Sequence, residues 1–161
     1  MRGLLLGAIA GAAGTMALDI AGYADMAARG RGSSDTPAEV IRRLAGKVGI
    51  ASLGVPSDDA DSATKNRRSA LGALAGHKIG IMLGAIYGAA SYPSSQERGI
   101  LLRSLVLGAL AMAASDVPAT ALEITDPGGW SASDWMADIV PHAAYGLVTA
   151  AVFEIIARPS A

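Results

Sequence analysis

Apolar positions run along this chain in four long stretches separated by polar ones, and small residues recur inside those stretches at every fourth position. The first stretch, residues 3–28, sets Gly3, Gly7 and Gly11 four apart. The second, residues 67–92, carries Gly72, Gly76, Gly80, Gly84 and Gly88, with His77 and Lys78 set among them. The third covers residues 99–122, with Arg103 near its start and Pro118 in its last turns, where proline is expected to kink the helix. The fourth, residues 133–157, is introduced by Trp130 and Trp135, spaced as an interfacial aromatic pair. Each stretch matches the roughly 20 residues that cross a hydrocarbon core. Glycine costs a water-exposed helix about 1 kcal/mol per residue against alanine, whereas in a bilayer small residues four apart let two backbones approach and pack.

The polar segments supply the connections. Thr36-Pro37-Ala38-Glu39 reads as a capping box with proline at the first helical position. It opens an amphipathic helix over 37–48 whose apolar face is Val40, Ile41, Leu44 and Val48. Such a helix either lies at a membrane surface or packs over the bundle mouth. Residues 51–66 form a polar Gly/Pro/Ser/Asp linker with no apolar periodicity, expected to be mobile. Pro93–Arg98 and Thr125–Gly129 are turns, and Arg158-Pro159 closes the chain. Short connections make neighbouring helices antiparallel. The expected fold is all-α: a single-domain, up-down-up-down four-helix transmembrane bundle with one short amphipathic surface helix in the first loop.

Composition narrows the function classes. The 161 residues are 52% hydrophobic and 17% charged, with 20 glycines and no cysteine. Thiol chemistry, disulfides and zinc fingers are therefore excluded. A net charge of −1 offers no basic surface for nucleic acid. A soluble Ala/Gly-rich bundle is the alternative class. A cleaved signal peptide is the rival reading of the first stretch, and the helical pattern continues past any such site. Arg29, Arg31, Arg42, Arg43, Lys47, Lys65, Arg67 and Arg68 fall in the first loop or at its edges, so the positive-inside rule favours a cytoplasmic first loop.

Counting depth along each helix gathers the ionisable residues. Asp19 lies ten residues before Arg29, His77 nine after Arg68, Asp116 ten before Asp126, and His142 eight after Asp134. At 1.5 Å per residue each is roughly 12 to 15 Å from one membrane face, which is the midplane of a ~30 Å core. Thr15 shares a face with Asp19, and Tyr145 with His142, so both are supporting candidates; Lys78 lies as deep as His77. An Asp/His cluster at this depth is expected to carry a proton or hold a cation, because histidine titrates near neutrality and carboxylates act as relay partners or ligands. The bland alternative is polar glue between helices. Asp19, His77, Asp116 and His142 also form a candidate divalent-metal set, and His77 with His142 a candidate bis-histidine b-haem pair. No cofactor is the simplest expectation. No nucleophile triad, phosphate loop or HExxH pattern is present, which argues against a hydrolytic enzyme.

In pattern, Gly7 to Gly11, Ala75-Gly76-His77, the run Leu105 to Ala111, and His142 to Tyr145 resemble the YagU-like family of bacterial inner-membrane proteins. That resemblance implies a multi-pass inner-membrane protein linked to acid resistance, without an established activity, in which His77 and His142 take the family's histidine positions. Sparse aromatics and a basic first loop depart from the family pattern. The expected partners are the lipid bilayer and either further copies of the chain or a larger membrane complex, in which it would serve as a non-catalytic accessory subunit.

Overall fold

The computed structural model describes residues 1–92 and 99–158. Among them it contains helices α1 (Arg2–Arg29), α2 (Thr36–Lys47), α3 (Ala51–Gly54), α4 (Ser62–Ser91), α5 (Ile100–Ala121) and α6 (Ala132–Ala157), a 3-10 turn at Pro127–Gly129, and no strand. The expected turn over Pro93–Arg98, and Pro159, lie outside the described residues. Helices α1, α4, α5 and α6 are long and apolar enough to cross a membrane, the composition of a multi-pass membrane protein.

Two compact units are distinguished: Met1–Arg31, His77–Ala114 and Trp130–Ala161 form the first, Gly32–Gly76 and Ser115–Gly129 the second. In the first, glycine sets the helix spacing. A Cβ on Gly7 would lie 2.2 Å from the Gly84 carbonyl oxygen, and one on Gly84 2.4 Å from that of Gly7. Gly3 meets Gly88 and Gly11 meets Gly80 in the same way, so α1 and α4 run antiparallel with backbones in direct contact. Gly146 packs on Ser104 and Gly108, and Gly108 on His142, which sets α5 antiparallel to α6. Tyr145 reaches Gly80 and Tyr87 stacks edge-on against Phe153, so α4 and α6 run parallel. The up-down-up-down order follows from these contacts.

The core is built of small residues around two large rings. Ala10, Thr149, Ala150, Tyr145 and Phe153 are at most 1% exposed, while Ile9, Met16, Ile20, Ile86, Leu101, Leu105, Leu147 and Ile155 face outward. A water-soluble domain places its large aliphatic residues the other way round, because burying them is the main driving force in water. Between lipid-facing helices that force is absent, and close backbone packing replaces it.

Of the five glycines expected to form one packing face on α4, Gly80, Gly84 and Gly88 contact α1, Gly72 contacts Pro37, and Gly76 has nothing within 4 Å. Residues four apart drift by about 40° around a helix of 3.6 residues per turn. Over sixteen residues the row winds from one neighbour to another.

The second unit corrects three further expectations. Helix α4 begins at Ser62 rather than Arg67, with Asp61 Oδ1 accepting from the Thr64 backbone N–H at 2.7 Å. The 51–66 segment contains α3 and is tied down: Arg68, 2% exposed, donates from Nε to the Leu53 carbonyl at 2.9 Å and from Nη2 to that of Val55 at 2.6 Å. The capping box at Thr36 does not form. Asp35 is the N-cap, without a side-chain cap bond, and Glu39 binds Arg42 (Nε to Oε1, 2.7 Å) and the Ser57 hydroxyl (3.2 Å) instead. A guanidinium offers the carboxylate a charge-assisted bond that one backbone N–H does not match. Helix α2 packs on α3 at Gly54, where an added Cβ would lie 2.9 Å from the Gly46 Cα, and leaves Leu44 and Val48 exposed. Ser131 and Asp134 form a complete capping box at the start of α6, beside the edge-to-face pair of Trp130 and Trp135 at 4.9 Å.

Candidate functional site

The structure brings two of the four expected midplane residues together, Asp19 with His77, and gives His142 a different carboxylate. On α1 and α4, Asp19 Oδ2 lies 3.3 Å from His77 Nε2. The side chains are 36% and 53% exposed, so the pair sits on the outer edge of the glycine seam, not inside the bundle. Gly80 and Gly84 face α1 so closely that a side chain of histidine size is directed out of the seam.

His142 finds its carboxylate on its own helix. Its Nδ1 is 2.8 Å from the Asp138 backbone carbonyl and 3.3 Å from Asp138 Oδ1, with side-chain exposures of 13% for His142 and 19% for Asp138. A carbonyl only accepts, so Nδ1 carries the hydrogen and the second proton of the imidazolium binds at Nε2. Asp138 Oδ2 is buried and has no hydrogen-bond partner among the described residues. Pro141 precedes the histidine inside α6 and contributes no N–H, which releases the Ala137 carbonyl from the helix ladder. His142 is ten residues into α6, roughly 15 Å from its start.

Asp116 belongs to the second unit, where its Oδ1 accepts from the Ser115 hydroxyl at 3.1 Å. Lys78 is exposed on α4. Thr15 is buried but serves packing: its hydroxyl donates to the Gly11 carbonyl at 2.9 Å and occupies the space a Cβ on Gly80 would need. Tyr145 donates its hydroxyl to the Gly80 carbonyl at 2.7 Å, one helical turn beyond His142.

Among the described residues no three histidine or acidic side chains come together in a group able to hold a metal ion, which removes the proposed set of His77, His142, Asp19 and Asp116. The bis-histidine haem fails on packing, because Tyr145 against Gly80 and Tyr87 against Phe153, with ring centroids 5.1 Å apart, fill the space between α4 and α6.

Neither Asp138 nor Pro141 is among the site residues expected from the sequence. The Asp-xxx-His spacing was the available signal, since residues four apart are neighbours on a helix. Outside the spanning segments, Glu39 is held below the usual carboxylate range first by its bond to Arg42, and Asp61 by its bond from the Thr64 backbone.

The second unit also holds a polar cleft of about 560 Å³ lined by Asp35, Glu39, Ser57, Asp58, Lys65 and Arg68, among others. Comparison with known proteins returns no matching family model, no matching curated sequence and no matching solved structure, which leaves the YagU-like resemblance resting on its short motifs.

Proposed function

We propose that this chain is a small multi-pass protein of the bacterial inner membrane that moves protons, or a small cation, through the bundle by way of Asp138 and His142. One observation carries the proposal: a buried carboxylate oxygen without a hydrogen-bond partner among the described residues, beside an imidazole in the first half of an apolar helix. An ionised carboxylate in such surroundings is costly and gains from taking up a proton or an ion. The Asp138 carbonyl orients the imidazole at Nδ1, so Nε2 takes up or releases a proton without loss of that anchor. Acid or envelope stress is the physiological setting that such a relay fits.

Purified protein in liposomes carrying an internal pH-sensitive dye tests this. A wild-type proton leak under an imposed pH gradient, lost in Asp138→Asn and His142→Gln, is the expected result. Equal dye responses from wild type and both variants would sink the proposal.

A second reading has its own support. The Asp19/His77 pair lies half exposed among outward-facing Met16, Ile20 and Ile79, and polar groups turned to lipid cost several kcal/mol. An accessory subunit, or one copy in a homo-oligomer, would cover that pair with protein. Mass measurement of the gently solubilised protein distinguishes the cases: a lone monomer argues against both kinds of assembly.

A further inference from the structure

Among the described residues, Arg68 is a cation buried without an anion. At 2% exposure it uses two of its five N–H donors on the Leu53 and Val55 carbonyls, and no carboxylate lies within ion-pair distance of it among the described residues. Buried charges are ordinarily paired, because carbonyl dipoles supply hydrogen bonds but no opposite charge. The residue lines the polar cleft of about 560 Å³, and Lys65, which is exposed, adds a second positive charge to its lining.

The negative charges of the cleft divide into two groups. Glu39 is engaged by Arg42 and the Ser57 hydroxyl. Asp35 and Asp58 are exposed, and their side chains make no ion pair among the described residues. The lining of the cleft therefore combines a buried guanidinium and an exposed lysine with two exposed carboxylates. A simple polyanion would meet those carboxylates unfavourably. A zwitterion with a phosphate and a nearby ammonium satisfies both signs, the guanidinium fork suiting phosphate oxygens.

We propose that this cleft binds an aminoalkyl phosphate, its phosphate on Arg68 and Lys65 and its ammonium between Asp35 and Asp58, carried by a phospholipid headgroup or by the free phosphate ester. The inference stands independently of proton movement through Asp138 and His142.

Phosphorus NMR titration of the full chain in a phosphate-free maltoside detergent tests it with three probes: O-phosphoethanolamine, short-chain phosphatidylethanolamine, and short-chain phosphatidylglycerol. At least one ethanolamine probe is expected to bind saturably, and the glycerol headgroup about tenfold more weakly, one charged contact being lost. Binding of the lipid alone identifies the headgroup as the source; binding of the free ester identifies a soluble ligand. Lys65→Ala and Asp58→Asn change side chains without hydrogen bonds in the chain among the described residues, so the fold is retained, and each is expected to weaken binding roughly three- to tenfold. Arg68→Lys keeps the charge but loses the fork and is expected to weaken it about tenfold or more. Absence of saturable binding for both ethanolamine probes overturns the proposal, as does binding that Lys65→Ala and Asp58→Asn leave unchanged, or equal affinity for the glycerol headgroup.

Discussion

Replacing Gly84 by alanine adds one methyl group where no space exists for it. The new Cβ would lie 2.4 Å from the Gly7 carbonyl oxygen, 2.5 Å from the Gly11 Cα and 2.7 Å from the Gly11 nitrogen, all backbone atoms of α1. No rotamer change relieves such a contact. Ordinary contact begins near 3.4 Å, so α1 and α4 must separate by about 1 Å at this level. A gap of that size forfeits a quarter to a half of the attraction between facing atoms, and the flanking contacts at Gly3, Gly11, Gly80 and Gly88 share the displacement. Overpacking of this kind costs about 1–3 kcal/mol. Gly76→Ala on the same helix is the control, because nothing lies within 4 Å of that position, and helix propensity alone favours alanine by up to about 1 kcal/mol. The two identical substitutions, eight residues apart, are therefore expected to change stability in opposite directions. Unfolding in detergent followed by the fluorescence of Trp130 and Trp135 measures both. A Gly84→Ala variant as stable as Gly76→Ala would refute the glycine seam as the determinant of helix spacing.

Three further outcomes follow from single contacts. Tyr145→Phe removes the hydroxyl bonded to the Gly80 carbonyl at 2.7 Å but keeps the buried ring, and is expected to cost about 1 kcal/mol in the same unfolding assay, against roughly 3–5 kcal/mol for Tyr145→Ala. Glu123 holds a left-handed backbone (φ 55°) that closes α5, with the Ile124 N–H on the Ala119 carbonyl at 2.9 Å, so Glu123→Gly is expected to raise the melting temperature by relieving about 1 kcal/mol of backbone strain. The folded-state pKa of Glu39 is lowered by Arg42, so its stabilisation is fully present above the unfolded pKa and disappears as pH falls through the folded value. The melting-temperature gap between wild type and Glu39→Gln is expected to be constant near neutrality and to close as pH drops below about 4.5; a gap unchanged at pH 3 contradicts the pairing.

The spanning helices were legible because their signal is one-dimensional. Length, apolarity and the fourfold glycine rhythm are properties of each segment by itself, and they located α1, α4, α5 and α6 with boundaries wrong by a few residues, most at Ser62. What a helix touches is not one-dimensional. Gly72, Gly76 and Gly80 look alike in sequence, yet they face Pro37, open space and Thr15. The site was mislaid for the same reason. Depth along a helix is a count and was usable, whereas azimuth decides whether two residues at one depth meet. A count ranks Asp116 beside His142; the local four-residue spacing gives that histidine Asp138 instead. Arg68 counted only as one of the basic residues of the first loop because its partners, the carbonyls of Leu53 and Val55, belong to a segment that carries no periodicity.

Packing and the polar pairs are linked by residue size. Helices spaced by glycine leave no room between them for histidine or aspartate side chains, so an ionisable residue on α1 or α4 is directed to the margin of the seam, as Asp19 and His77 are. Helix α6 differs. Its contact with α1 is made by Tyr145 and Thr149 over Gly14, and its contact with α5 by Gly146 and by the His142 backbone over Gly108. That arrangement leaves the face of Asp138 and His142 more enclosed, and Pro141 loosens the backbone ladder there without ending the helix. Among the described residues, the enclosed imidazole–carboxylate pair therefore lies on the helix that uses large rings as well as glycines to hold its neighbours apart. A tighter glycine contact at that level would have expelled the pair to the lipid face, where the cost of a charge is highest.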